Sequence, residues 1–131
     1  MTEARGDIVL SFPAHTTNLR IARLTASSVA TDLGFGLEDT EDLRVAVTEL
    51  SSALIDERDN GSGDGPRLEL RYRIDGDAVV VEGRRDDMAG PIPELDPIAR
   101  ELLSVTTDEH RLSAEDGGWT FWVRKGPSAP A

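Results

Sequence analysis

The sequence predicts an α/β two-layer sandwich with a mainly antiparallel sheet and one helical layer. Three observations carry that prediction. Leu43, Val47, Leu50 and Leu54 recur at i, i+4, i+7 and i+11, with Ala46 and Ala53 beside them, which is the buried stripe of a helix. Residues 67–74 alternate polar and apolar with period two, the mark of a strand with one buried and one charged face. Two helices come before a run of antiparallel strands, and helices grouped in this way pack as a separate layer on the sheet.

Each element follows from local chemistry. Ile8, Val9, Leu10, Ser11 and Phe12 form a short apolar run closed by Pro13, an opening strand. Thr16 or Thr17 is the expected cap of a first helix that runs to about Asp32 and ends at Gly34. Its buried side is Leu19, Ala22, Ala26, Val29, Ala30 and Leu33, flanked by Arg20 and Arg23. Asp39 or Thr40 begins the second helix, with carboxylates in the first turn where the helix dipole favours them. Residues 59–66 are a loop by composition. The strand at 67–74 turns through Asp75-Gly76-Asp77 into a partner at 78–82. Residues 88–97 hold Pro91, Pro93 and Pro97 and should be irregular, after which Asp96 caps a short helix with Ile98, Leu102 and Leu103 inward. Residues 108–113 and 119–123 form a closing strand pair across the turn at 115–118. Alternation puts Trp119 and Phe121 on one face and leaves Trp122 for solvent or an interface.

The length of 131 residues is that of one domain. The expected division is a flexible N-terminus at 1–7, a domain at 8–125 and a disordered tail at 126–131. The chain has no cysteine, which removes disulfides and thiolate metal sites. It shows neither a signal peptide nor a membrane-length apolar run, so a cytoplasmic protein without membrane contact is expected. The 25 Asp and Glu against 14 Lys and Arg give a net charge of −11, which disfavours direct nucleic-acid binding and suits solubility or a basic protein partner.

Most catalytic arrangements are missing. His15 and His110 belong to no spaced ligand cluster, so no metal site is expected. The carboxylate pairs Asp86-Asp87 and Asp108-Glu109 read as solvated loop charges. No Gly-x-x-x-x-Gly-Lys-Ser/Thr loop occurs, and the glycines at 61–65 lack the strand before and helix after that a phosphate cradle needs.

One stretch is more informative. Residues 38–50 give an acidic start and then Leu43-Arg44-Val45-Ala46-Val47-Thr48-Glu49. This resembles the second helix of the bacterial anti-sigma factor and serine-protein kinase family, a branch of the GHKL (Bergerat, histidine kinase-like) ATPases. Phe12-Pro13-Ala14 followed by Ala22-Arg23-Leu24-Thr25 is similar to the family's first strand and first helix. The remaining elements arrive in family order over about residues 8–125, and the segment 38–54 carries the most specific match. The resemblance implies a GHKL ATPase-like fold. It also implies that Glu49 stands where members polarise the attacking hydroxyl or water, and that Arg20 and Arg23 lie on the helix that contacts the partner.

The departures from the family shape the functional expectation. Members place a magnesium-binding Asn four residues after the Glu; here the position is Ala53, whose methyl group cannot coordinate a hard cation. The family's Asp-x-Gly-x-Gly is absent from residues 82–87, where Glu82 or Asp86 could stand in for the Asp only with a register shift. Its glycine-rich lid is replaced by residues 90–97, and prolines lack the N–H donors that hold phosphates. The resemblance with these losses implies an anti-sigma-type regulator. It would sequester a sigma factor, be released by an anti-anti-sigma antagonist and act as a homodimer, with ATP binding and kinase activity lost or much weakened. On that reading Glu49 is vestigial and no cofactor is needed. One alternative is an active kinase that uses ATP with magnesium, with Glu49 and Asp86 at the nucleotide, to phosphorylate a serine of the antagonist. Another is a non-catalytic module with a different regulatory partner.

Overall fold

The computed structural model describes residues 6–56, 65–88 and 90–128. The chain runs through β1 (Ile8–Pro13), a 3-10 turn (Thr16–Asn18), α1 (Leu19–Leu33), α2 (Leu37–Ala53), β2 (Arg67–Asp75), β3 (Ala78–Arg85), α3 (Pro97–Thr106), β4 (Glu109–Glu115) and β5 (Gly118–Lys125). The five strands form one sheet in the order β1-β2-β3-β5-β4, with every neighbouring pair antiparallel. The three helices cover one face, and the expected two-layer sandwich is the observed architecture.

The core lies between the layers. Leu68, Leu70 and Tyr72 of β2, Val79 and Val81 of β3, and Trp119, Phe121 and Val123 of β5 meet Leu43, Val47, Leu50 and Leu54 from the α2 stripe. Ala22 and Ala26 bring α1 close to the sheet, and the buried Tyr72 hydroxyl donates to the Ala22 carbonyl at 2.8 Å. Burial pushes the Tyr72 phenol well above its ordinary range, so it stays a donor at any physiological pH. The opposite sheet face is open and laced with charge pairs, such as Arg73 with Glu82 at 3.0 Å and Arg124 with Asp75 at 2.7 Å. Trp122 stands on that face, half-buried, with the Arg111 guanidinium 4.6 Å from its ring centre.

The structure corrects several element boundaries. His15, rather than Thr16 or Thr17, caps the first helical turn, its Nδ1 accepting from the Thr17 N–H at 3.2 Å. Gly36 precedes α2, which starts at Leu37, so Glu38 and Asp39 are already inside its first turn. β3 continues three residues beyond 82, to Arg85. Asp96 caps α3 as expected, accepting from the Ala99 N–H at 2.7 Å, but Ile98 points outward and is 74% exposed. Ala99 takes the inward position, because the helical repeat puts Ala99, Leu103 and Thr106 on one side. Most of the loop expected at 59–66 lies outside the described residues.

The tail expected to be disordered is attached as far as it is described. Gly126 N–H donates to the Asp108 carboxylate at 2.8 Å, and Ser128 binds Asp39 through both its N–H (2.9 Å) and its hydroxyl. The buried Lys125 ammonium lies 3.5 Å from Asp39 and 3.6 Å from Asp42. At the other end, Asp7 pairs with Arg71 at 3.2 Å. Residues 1–5 and 129–131 lie outside the description. The Ser128 hydroxyl, then its N–H, and the charge of Lys125 hold the Asp39 carboxyl below its ordinary value of 3.8, outweighing desolvation. A depressed folded value means the contribution is complete above the unfolded value and disappears as pH falls through the folded one. Ser128→Ala should therefore destabilise the chain at pH 7 and do so by less at pH 3, below the ordinary carboxylate value. A urea-melt difference that is the same at both pH values would refute the link.

Candidate functional site

Glu49 is the residue that the family resemblance marked as a vestigial catalytic group. It lies in the C-terminal half of α2, half-buried, on a ridge between two shallow clefts. The first, about 170 Å³, separates α1 from α2 and is lined by Arg23, Glu41, Arg44, Val45, Thr48 and Glu49. The second, also about 170 Å³, lies between the end of α2 and the start of α3, where Glu49, Ser52 and Ala53 face Pro93, Glu94, Leu95, Asp96 and Ala99. Both positions come from helical spacing: Glu49 and Ala53 are four apart and share a face, while Asp96 is fixed by its capping role.

The second cleft is acidic and partly walled by proline. Glu49, Glu94 and Asp96 bring three carboxylates to it, Ala53 contributes a methyl group and Pro93 contributes no N–H. Asp86 is elsewhere: it pairs with Arg84, whose side chain belongs to the open face of the sheet. The structure thus brings Glu49 and Ala53 together and leaves Asp86 apart from them.

At the end of β3, beside the C-terminus of α2, lies a buried arginine. Arg85 ends β3 on the inward face, 2% exposed. Its Nη1 donates to the Leu54 carbonyl, at the C-terminal end of α2, at 3.0 Å. Its Nε donates to Asp87 at 2.9 Å. The guanidinium thereby joins the last turn of α2 to the end of β3, and a cation is favoured at a helix C-terminus. Sequence reading passed it over because the strand was expected to end at residue 82, three residues short of it.

On the far side of α2, α1 presents a different surface. Arg20 is exposed and Arg23 half-buried, as their places beside the stripe required. With them are two large apolar side chains that the core does not use, Ile21 at 44% and Leu24 at 63% exposure. Both lie outside the helical stripe read from sequence, and that position was the available signal.

No protein-family model matches the chain. Individual proteins do. The serine-protein kinase RsbW of Bacillus licheniformis is 28% identical over 135 aligned positions, covering 89% of this chain and 84% of that protein. The protein of the same name from Bacillus velezensis is 30% identical over 127 positions, covering 84% of this chain and 79% of that one. The Listeria monocytogenes serotype 4a protein is 29% identical, with 89% and 85% covered. Among solved structures, the RsbU and RsbW domains of Rv1364c from Mycobacterium tuberculosis superpose with a TM-score of 0.72 at 17% identity, over 97% of this chain. The chain spans about a third of that larger protein, 34%, and the likeness establishes the GHKL-type fold alone. Among the described residues no helix is long and apolar enough to cross a membrane. Identity at this level over four-fifths of both sequences, on that fold, places the chain in the family of the serine-protein kinase RsbW.

Proposed function

We propose that the chain is an anti-sigma-type regulator that binds and sequesters a sigma factor, is released by an anti-anti-sigma antagonist, and has lost or nearly lost ATP-dependent kinase activity. The observation that carries the binding half is the α1 surface, where exposed Ile21 and Leu24 stand beside Arg20 and Arg23. Exposed apolar side chains beside arginine suit a protein interface, where arginine is enriched over other surface, and here they lie on an otherwise strongly acidic chain. A homodimer is part of the proposal, with the open, charge-alternating sheet face as a surface able to meet its own copy across a two-fold axis.

The second cleft supports the loss of catalysis. Magnesium takes oxygen ligands and bridges phosphates, whereas Ala53 offers none at the required position. Three carboxylates repel a polyphosphate, and Pro93 removes a backbone donor where anion binding depends on N–H groups. These residues do not fit a magnesium–nucleotide, and no phosphoryl-transfer step is assigned to them. An active serine kinase is the second reading, favoured by the retention of half-buried Glu49 at the cleft mouth.

Thermal melts with magnesium and ATP separate the two, since a ligand that binds only the folded chain raises Tm. No shift at millimolar ATP is expected; a saturable rise would favour the kinase. Arg23→Glu should weaken capture of a sigma factor from the native host by roughly tenfold in a chain that circular dichroism shows still folded, because a reversed charge at an interface repels what the arginine attracted. Unchanged capture would remove α1 from the interface, and failure to recover either a sigma factor or a single-domain antagonist would remove the regulator reading.

A further inference from the structure

α3 carries an apolar face that the fold does not consume. Ala99, Leu103 and Thr106 face inward. Ile98, Leu102 and Val105, spaced i, i+4 and i+7, line the neighbouring flank. Ile98 is 74% exposed, Val105 is 63% exposed and Leu102 is half-buried. A single exposed apolar residue is ordinary, but three in one helical row, two of them well exposed, are an unpartnered surface among the described residues.

Charge says what would cover it. Where the row begins, Glu49, Glu94 and Asp96 converge on the cleft between α2 and α3. Glu101 is exposed on the same helix. The Asp96 carboxylate already accepts from Ala99, so Glu49 and Glu94 are the groups placed to receive a cation. An acidic segment would be repelled here, and a polar one would leave the apolar row wet. An amphipathic helix with lysine or arginine beside its apolar side satisfies both features, laying i, i+4 and i+7 anchors along α3.

We propose that α3 and the adjoining acidic cleft form a docking surface for a basic amphipathic helix of a partner protein. The apolar side of that helix would cover Ile98, Leu102 and Val105, and a lysine or arginine would enter the cleft at Glu49 and Glu94. A cleft of about 170 Å³ admits the end of one such side chain. The cleft that is poorly suited to a phosphate is well suited to a cation, for the same electrostatic reason. This surface lies across α2 from Ile21 and Leu24, and it stands whichever protein supplies the helix.

The test uses the full chain and two labelled helical peptides of about 18 residues, long enough to hold helical structure on a surface. Both carry leucine at i, i+4 and i+7; one has lysine on its flanks and the other glutamate in the same places. Fluorescence anisotropy should give saturable binding of the lysine peptide below millimolar concentration and none of the glutamate peptide. Ile98→Asp and Val105→Asp, both at exposed positions, should weaken it about tenfold or more with Tm unchanged, because loss of a central apolar anchor is felt at that scale. Glu94→Lys should weaken it several-fold, while Ile21→Asp on α1 should have no effect. Equal binding of the two peptides, no saturation at millimolar peptide, or insensitivity to Ile98→Asp would overturn the proposal. So would a peptide-free self-association that Ile98→Asp abolishes, since the occupant would then be a second copy.

Discussion

A Gly83→Val chain is expected to lose about 3 kcal/mol of folding stability, or on the order of 10 °C in Tm, because its new side chain has nowhere to go. Gly83 is an inward-facing residue of β3, opposite Phe121 of β5. A Cβ built at Gly83 would lie 2.1 Å from Phe121 Cε2, 2.6 Å from Cδ2 and 2.7 Å from Cζ. The ring is itself 2% exposed and packed within the core, so it cannot swing aside without displacing its neighbours. Glycine in a strand ordinarily weakens it; here an aromatic ring from the next strand fills the space a side chain would occupy. If that is the reason for the glycine, the Gly83→Val, Phe121→Leu double variant should recover a substantial part of the loss, a non-additivity expected of residues in contact. Urea melts of the two single variants and the double variant measure it. A Gly83→Val chain melting within about 2 °C of the unsubstituted one would refute the argument.

Gly83 also marks where sequence reasoning stopped short. The α2 stripe, the β2 alternation and the Asp96 cap were all legible because each follows from a period or a local hydrogen bond. The length of β3 was not legible, because its last three residues, Gly83, Arg84 and Arg85, carry none of the usual strand signals. Two of them are explained by contacts distant in sequence: Phe121 across the ladder for Gly83, and the Leu54 carbonyl for Arg85. Ser128 is the same case, since the carboxylate that holds it is 89 residues away. Glu49 and Ala53 could be paired from spacing alone, whereas Glu94 and Asp96 joined their cleft only through the packing of α3 on α2. Ile98 was misassigned because Asp96 fixes where α3 starts but not how the helix is rotated on the sheet.

Replacing Arg85 with methionine should cost about 2–3 kcal/mol, somewhat less than the glycine substitution. Methionine fills much of the aliphatic volume of the arginine stem, so the loss is chiefly polar. The Leu54 carbonyl loses a charged donor at 3.0 Å in a buried setting, and a hydrogen bond from a charged group contributes about 1.5–3 kcal/mol. Asp87 contributes less to the loss, because its side chain is 51% exposed and water can replace the guanidinium there. Arg85→Lys should fall between the two: it keeps the positive charge at the end of α2 but cannot serve Leu54 and Asp87 together through a planar fork. The order of stabilities arginine, lysine, methionine is the decisive result, and chemical denaturation at neutral pH reads it. If methionine equals arginine, the guanidinium is not what joins α2 to β3. Because Glu49 and Ala53 lie within one to two turns of Leu54, hydrogen exchange in the methionine variant should rise first in the last turn of α2. That pattern would show that Arg85 holds the α2 wall of the acidic cleft in place, and even exchange across the whole helix would show a global effect instead.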